Sequence, residues 1–172
     1  MRRSGQRRKD VVDTQPKTQR REMNIVMAKI EASIVVDRPA ETVLNFIFDP
    51  SNAPKYDPDI ISAKQTSDGP IAVGTTFEAN RKKEGKVTFR TMEYDPGRRL
   101  TWVVTSPRAM EGSKESIIVE DMGEKTKLTN AWDLRLGGFY RLAGPFVARS
   151  MKKTAEAQAS RIKHILESEA RS

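Results

Sequence analysis

The sequence predicts an α+β domain in which a curved antiparallel sheet of seven strands packs one face against one long C-terminal helix. Three observations carry that prediction. Residues 144–169, GPFVARSMKKTAEAQASRIKHILESE, repeat apolar side chains at three- and four-residue steps through Met151, Ala155, Ala159, Ile162 and Leu166, which places them on one helical stripe. Between residues 60 and 134, six short β-type stretches are parted only by tight-turn sequences, and links that short hold no parallel crossover, so neighbours pair antiparallel. A seventh stretch, from Ala28, alternates Ile30, Ala32, Ile34 and Val36 with Glu31, Ser33 and Asp37, the pattern of a half-buried strand.

Each element has a local cause. Asp37-Arg38-Pro39 stops the first strand, and Pro39 with Glu41 opens a helix, because proline in the first turn gives up only an amide that has no partner there. Val43, Leu44, Phe46 and Ile47 continue it at helical spacing until Asp49-Pro50 ends it. A loop through Asn52, Pro54, Tyr56 and Pro58 follows. Strands are predicted at 60–66, 75–81, 86–94, 100–105, 113–119 and 125–134. Ser67-Asp68-Gly69-Pro70, Glu84-Gly85, Asp95-Pro96-Gly97, Ser106-Pro107 and Asp121-Met122-Gly123 turn the chain between them. A short separate turn at 138–143 leads to Pro145, read as the first residue of a helix running to about 168. A one-faced helix of about seven turns is unstable alone in water, so the sheet must supply its apolar partner.

Composition narrows the function. With 172 residues the chain suits one domain, 23–172, behind a tail at 1–22. Zero cysteines exclude disulfides and thiolate chemistry, and a single histidine, His164, leaves no histidine cluster for a metal. The reading therefore assigns no cofactor, no metal and no catalytic residue. No run of apolar residues is long enough to span a bilayer, and a cytoplasmic location is expected. The net charge is +8, but residues 1–22 hold eight Lys/Arg against three acids and leave only +3 for the body. The tail is expected to be disordered and solvated, and nucleic acid is an unlikely partner, reached through that tail if at all.

The order of elements and four local phrases resemble a known family. The phrases are Ile34-Val35-Val36-Asp37-Arg38-Pro39-Ala40-Glu41-Thr42-Val43, then Ser67-Asp68-Gly69-Pro70 with Val73-Gly74-Thr75, then Glu93-Tyr94-Asp95-Pro96-Gly97-Arg98-Arg99-Leu100-Thr101-Trp102, and last Gly123-Glu124-Lys125-Thr126-Lys127-Leu128-Thr129. They look like the polyketide cyclase/dehydrase and lipid-transport family of the START-like (SRPBCC) superfamily, over about residues 28–168. The resemblance implies a helix-grip fold with a hydrophobic cavity between sheet and helix.

If that cavity exists, its expected lining is Phe146, Ser150, Met151 and Thr154 on the helix, with Phe77, Trp102 and Trp132 on the strands. Asn130 shares the strand phase of Trp132 and Leu134 and is the foremost polar candidate, since a buried polar group needs a partner and a ligand can be one. Arg90 belongs to one of two possible phases of its strand, Arg81 sits near the rim, and Tyr56 lies in the loop that borders the mouth. The leading function is binding or transport of a small hydrophobic ligand, such as a lipid, isoprenoid quinone or polyketide. The alternatives are a cyclase or dehydratase for a poly-β-keto chain, using Arg90, Tyr94 and Asn130, and an interaction module that works through the basic tail.

Overall fold

The computed structural model describes residues 26–136 and 144–169. β1 (Val26–Val36) leads into α1 (Ala40–Phe48), a 3-10 turn at Pro50–Asn52 and the single-turn α2 (Ala53–Tyr56). Then come β2 (Ile60–Gln65), β3 (Thr76–Arg81), β4 (Gly85–Asp95), β5 (Arg99–Ser106), β6 (Lys114–Asp121) and β7 (Thr126–Leu136), and last α3 (Gly144–Glu169). Element ends differ from the sequence reading by one or two residues. The predicted tail at 1–22 and the short turn at 138–143 lie outside the described residues.

All seven strands form one antiparallel sheet in the order β1-β7-β6-β5-β4-β3-β2. β2 to β7 run as a meander because each link is a turn. The Asp95-to-Arg98 turn shows why these links are so tight. Arg98 N–H donates to Asp95 O at 3.0 Å, with Pro96 in the second position and Gly97 at φ +82 in the third. Proline pre-sets the first angle of this type II turn, and glycine takes the positive φ without a Cβ clash. β1 adds beside β7, so α1 and α2 must carry the chain from one sheet edge to the other. Register shifts at Ile60/Ser62, Thr88/Phe89 and Thr91/Glu93 insert extra residues, and such bulges bend and twist a strand.

α3 lies along β1 and also touches β7 and α2. Its C-terminal half is tied down by polar contacts. Lys163 Nζ donates to Val35 O at 2.7 Å, Arg38 Nη2 to Glu167 O at 3.1 Å, and Asp37 N–H to Glu167 Oε1 at 2.8 Å. Two apolar clusters hold the layers together. The larger joins Val43, Leu44, Phe46 and Ile47 of α1 to Ile117 and Leu128 of the sheet and to Ile162 and Leu166 of α3. The smaller joins Ile30 and Ala32 of β1 to Trp132 and Leu134 of β7 and Ala155 of α3. Among the described residues no helix is long and apolar enough to cross a membrane.

Candidate functional site

Between the two clusters, sheet and helix do not close on each other. They leave a cavity of about 120 Å³, lined by residues from every strand except β1 and from all three helices. Small side chains are part of the cause, since Ala63, Ala79 and Ala159 present methyl groups where larger residues would fill the space. The space is close to the roughly 150 Å³ that admits a benzene ring and below the usual range of about 300–1,000 Å³ for ligand pockets. It suits one or two rings. Half-buried lining residues such as Phe48, Pro50, Ile60 and Ala63 give it a side open to solvent.

Most of the lining is apolar. Phe77 stands edge-on to Trp102, with ring centroids 6.2 Å apart and planes at 86°, a favoured arrangement for aromatic pairs. Against this wall stands a polar corner made of Asp57, Arg81, Glu115, Asn130 and Trp132, with Tyr56 nearby. Asp57, only 2% exposed at the end of α2, pairs with Arg81 (Oδ2 to Nη1, 3.1 Å), and its other oxygen accepts the Asp59 N–H at 2.9 Å. Arg81 Nε also lies 3.3 Å from Glu84 Oε2. That arginine is therefore committed to two carboxylates.

Asn130 Nδ2 donates to Glu115 Oε1 at 3.0 Å. Glu115 keeps some accessible surface because it faces the cavity, yet protein surrounds it and the loss of water pushes its carboxyl above the usual range. The Asn130 amide, the nearby Trp132 indole N–H and Arg81 pull the other way, and Asp57 reinforces the rise. Burial likewise raises the Tyr56 hydroxyl, with Glu115 and Asp57 adding to the effect. Among the described residues, two buried polar atoms of this corner have no hydrogen-bond partner in bonding geometry: Asn130 Oδ1, and Trp132 Nε1, which acts on the Glu115 carboxyl without making a well-formed bond to it. Among the described residues no three histidine or carboxylate side chains gather as a metal would need.

The structure brings together Tyr56, Phe77, Trp102, Asn130 and Trp132 of the residues proposed from sequence, and leaves six others out of the lining: Phe146, Ser150, Met151, Thr154, Arg90 and Tyr94. Phe146 is 81% exposed, and Ser150 is exposed with it, because the first turns of α3 lie away from the cavity. Met151 packs against the cluster on β1 and β7 instead. The helix meets the cavity about two turns later, through Gln158, Ala159 and Ile162. Arg90 is exposed because Val87, Phe89 and Thr91 take the inner phase of β4, which turns Arg90 and Met92 outward. Tyr94 packs on Phe48 across 6.4 Å, outside the cavity.

Sequence reasoning missed Glu115, Asp57 and the inward course of Arg81. Glu115 was within reach, because it shares the strand phase of the apolar Ile117 and Val119. Arg81 shares the phase of Phe77 and Ala79, whereas Asp57 lies between prolines in a stretch with no periodicity to expose it.

A family model described as "Polyketide cyclase / dehydrase and lipid transport" matches residues 27–167. No curated protein matches the sequence. Among solved structures, a START superfamily protein from Mycobacterium smegmatis superposes with a TM-score of 0.68 at 16% identity, covering 82% of this chain and 98% of that one. The Zhui aromatase/cyclase from Streptomyces sp. R1128 gives 0.65 at 17%, covering 83% and 94%. The di-domain ARO/CYC BexL from the BE-7585A biosynthetic pathway gives 0.66 at 20%; 81% of this chain is covered, and it spans 46% of that longer one. Identities this low speak to the shared helix-grip fold alone.

Proposed function

The chain belongs to the polyketide cyclase/dehydrase and lipid transport family, and from that premise we propose that it binds a small, largely apolar molecule in the cavity between sheet and helix. The observation that carries this reading is an apolar space bordered by two buried polar atoms without partners, Asn130 Oδ1 and Trp132 Nε1. An unmade buried hydrogen bond costs about 1–3 kcal/mol, and a ligand that completes it recovers that cost on binding. Native mass spectrometry of the protein purified from its host without detergent tests the reading. An apolar adduct that Ala159→Leu removes is the expected result, and an adduct-free spectrum for wild type counts against it.

A second reading, a cyclase or dehydratase, is favoured by Glu115. Cyclisation of a poly-β-keto chain needs a base to take a proton from the methylene between two carbonyls. Loss of water then needs an acid to protonate the departing hydroxyl. A buried carboxyl with a raised pKa suits both tasks. The size of the cavity argues for the first reading, because a long poly-β-keto chain needs more room than about 120 Å³. Glu115→Gln separates the two. It abolishes turnover and spares binding if Glu115 moves protons, and a wild type without turnover of such substrates leaves the binding reading alone.

A further inference from the structure

Resting on the reading of the cavity as a ligand site, we propose that its ligand is an uncharged, ring-sized molecule whose buried end is a hydroxyl, seated between Asn130 and Trp132, and that the site rejects carboxylates.

The two unpartnered atoms differ in kind. Asn130 Oδ1 accepts a hydrogen bond and Trp132 Nε1 donates one. Asn130 and Trp132 are two residues apart on β7, on the same face of the sheet. Both converge on one carboxyl, because Asn130 donates to Glu115 and Trp132 sits opposite Glu115 in the β6–β7 register. A single ligand group placed there meets both. A hydroxyl carries one donor and two acceptor sites and so satisfies the pair. A ketone satisfies only the indole. An ammonium can donate to the amide oxygen and to the Glu115 carboxyl, but it has no acceptor for the indole N–H.

Charge excludes the acids. The charged residues that line the cavity are Asp57, Glu78, Glu115 and Arg81. Glu78 is paired with Lys86, and Arg81 is held by Asp57 and Glu84. No free cation among the described lining residues waits for an anion. A carboxylate entering this corner would lose its water and face Asp57 and Glu115, with no unpaired cation among the described lining residues to offset that cost. The head groups of fatty acids and phospholipids are thereby disfavoured at this position.

Five compounds on one two-ring frame test the proposal by isothermal titration calorimetry at neutral pH: tetralin, 2-tetralol, 2-tetralone, 2-aminotetralin and tetralin-2-carboxylate. The second ring can extend toward the open side of the cavity. 2-Tetralol is expected to bind about tenfold more tightly than tetralin, the return on one or two recovered hydrogen bonds, and more tightly than the other three. Trp132→Phe and Asn130→Leu should each bring the tetralol-to-tetralin affinity ratio toward one. A ratio is insensitive to a general loss of fit, and Trp132→Phe keeps an aromatic ring where Asn130→Leu changes the shape more. Equal binding of tetralin and 2-tetralol overturns the hydroxyl and leaves the apolar cavity standing. A tighter ketone, amine or carboxylate overturns the choice of polar end. If none of the five binds, the proposal and the ligand-site reading fall together.

Discussion

Ala155 and Ala159 stand one turn apart on α3, both buried, and they meet different surroundings. Ala155 packs into the cluster of Ile30, Ala32, Trp132 and Leu134, whereas Ala159 faces the cavity. Away from the cavity, the buried Thr129 and the exposed Ser33 bond each other at 2.8 Å and the buried Thr126 donates to Arg38 O at 2.7 Å, while Thr91 Oγ1 on β4 is buried without a partner among the described residues. At the cavity, Asn130 and Trp132 each keep a buried polar atom without a partner. The contrast teaches that one helix does two jobs. Where it closes on the sheet it holds the fold together, and where it stands off it gives up packing and leaves the space in which we place a ligand.

The largest effect is expected in the closed region. Leu166→Ala removes a 3%-exposed side chain from the cluster under α1 and should cost about 2–5 kcal/mol in denaturant unfolding. The sharpest test of the contrast is one substitution made twice. Ala155→Leu must force extra methylenes into packed surroundings, at about 1–3 kcal/mol, whereas Ala159→Leu grows into open space and should cost less than about 1 kcal/mol. Equal costs for the two would erase the distinction between the regions.

A smaller effect separates them by pH. The Glu115 carboxyl is raised in the folded protein above its ordinary value of 4.5. The stability it lends is full below that value and is lost as pH rises through the folded pKa, because ionising it in place is unfavourable. Glu115→Gln keeps an acceptor for Asn130 and removes the charge. Its melting temperature should match wild type near pH 4 and exceed it increasingly above about pH 5. A constant offset across that range would mean the carboxyl titrates as it does in water. The smallest effect belongs to Phe146, whose exposure predicts that Phe146→Ala changes stability by no more than about 0.5 kcal/mol and leaves binding intact.

The fold was legible because its signals are periodic. Alternation in β1, turn sequences such as Asp95-Pro96-Gly97 and the stripe on α3 each name an element without help from the rest of the chain. The cavity was only half legible, since periodicity gives the inner face but not where along that face two elements part. The α3 stripe runs from Met151 to Leu166 without a break, so nothing in it marks Ala159 rather than Phe146 as the residue over the cavity. For Arg90, both phases of β4 carry large side chains, and only pairing with β3 and β5 decided which turned inward. The Asp57–Arg81 pair joins residues 24 positions apart across a loop, a contact that no local pattern announces.

The proposed function requires that the space beside Trp132 accept a ligand, and the indole N–H of that residue reports on it. In an amide-correlation NMR titration with 2-tetralol, the Trp132 indole signal should move saturably together with the backbone signals of Ala79, Ile117 and Ala159, while those of Val43 and Leu166 hold still. Ala159→Leu should suppress the change. An indole signal that never moves, or shifts that gather on the closed region and persist in Ala159→Leu, would contradict the cavity as the site of function.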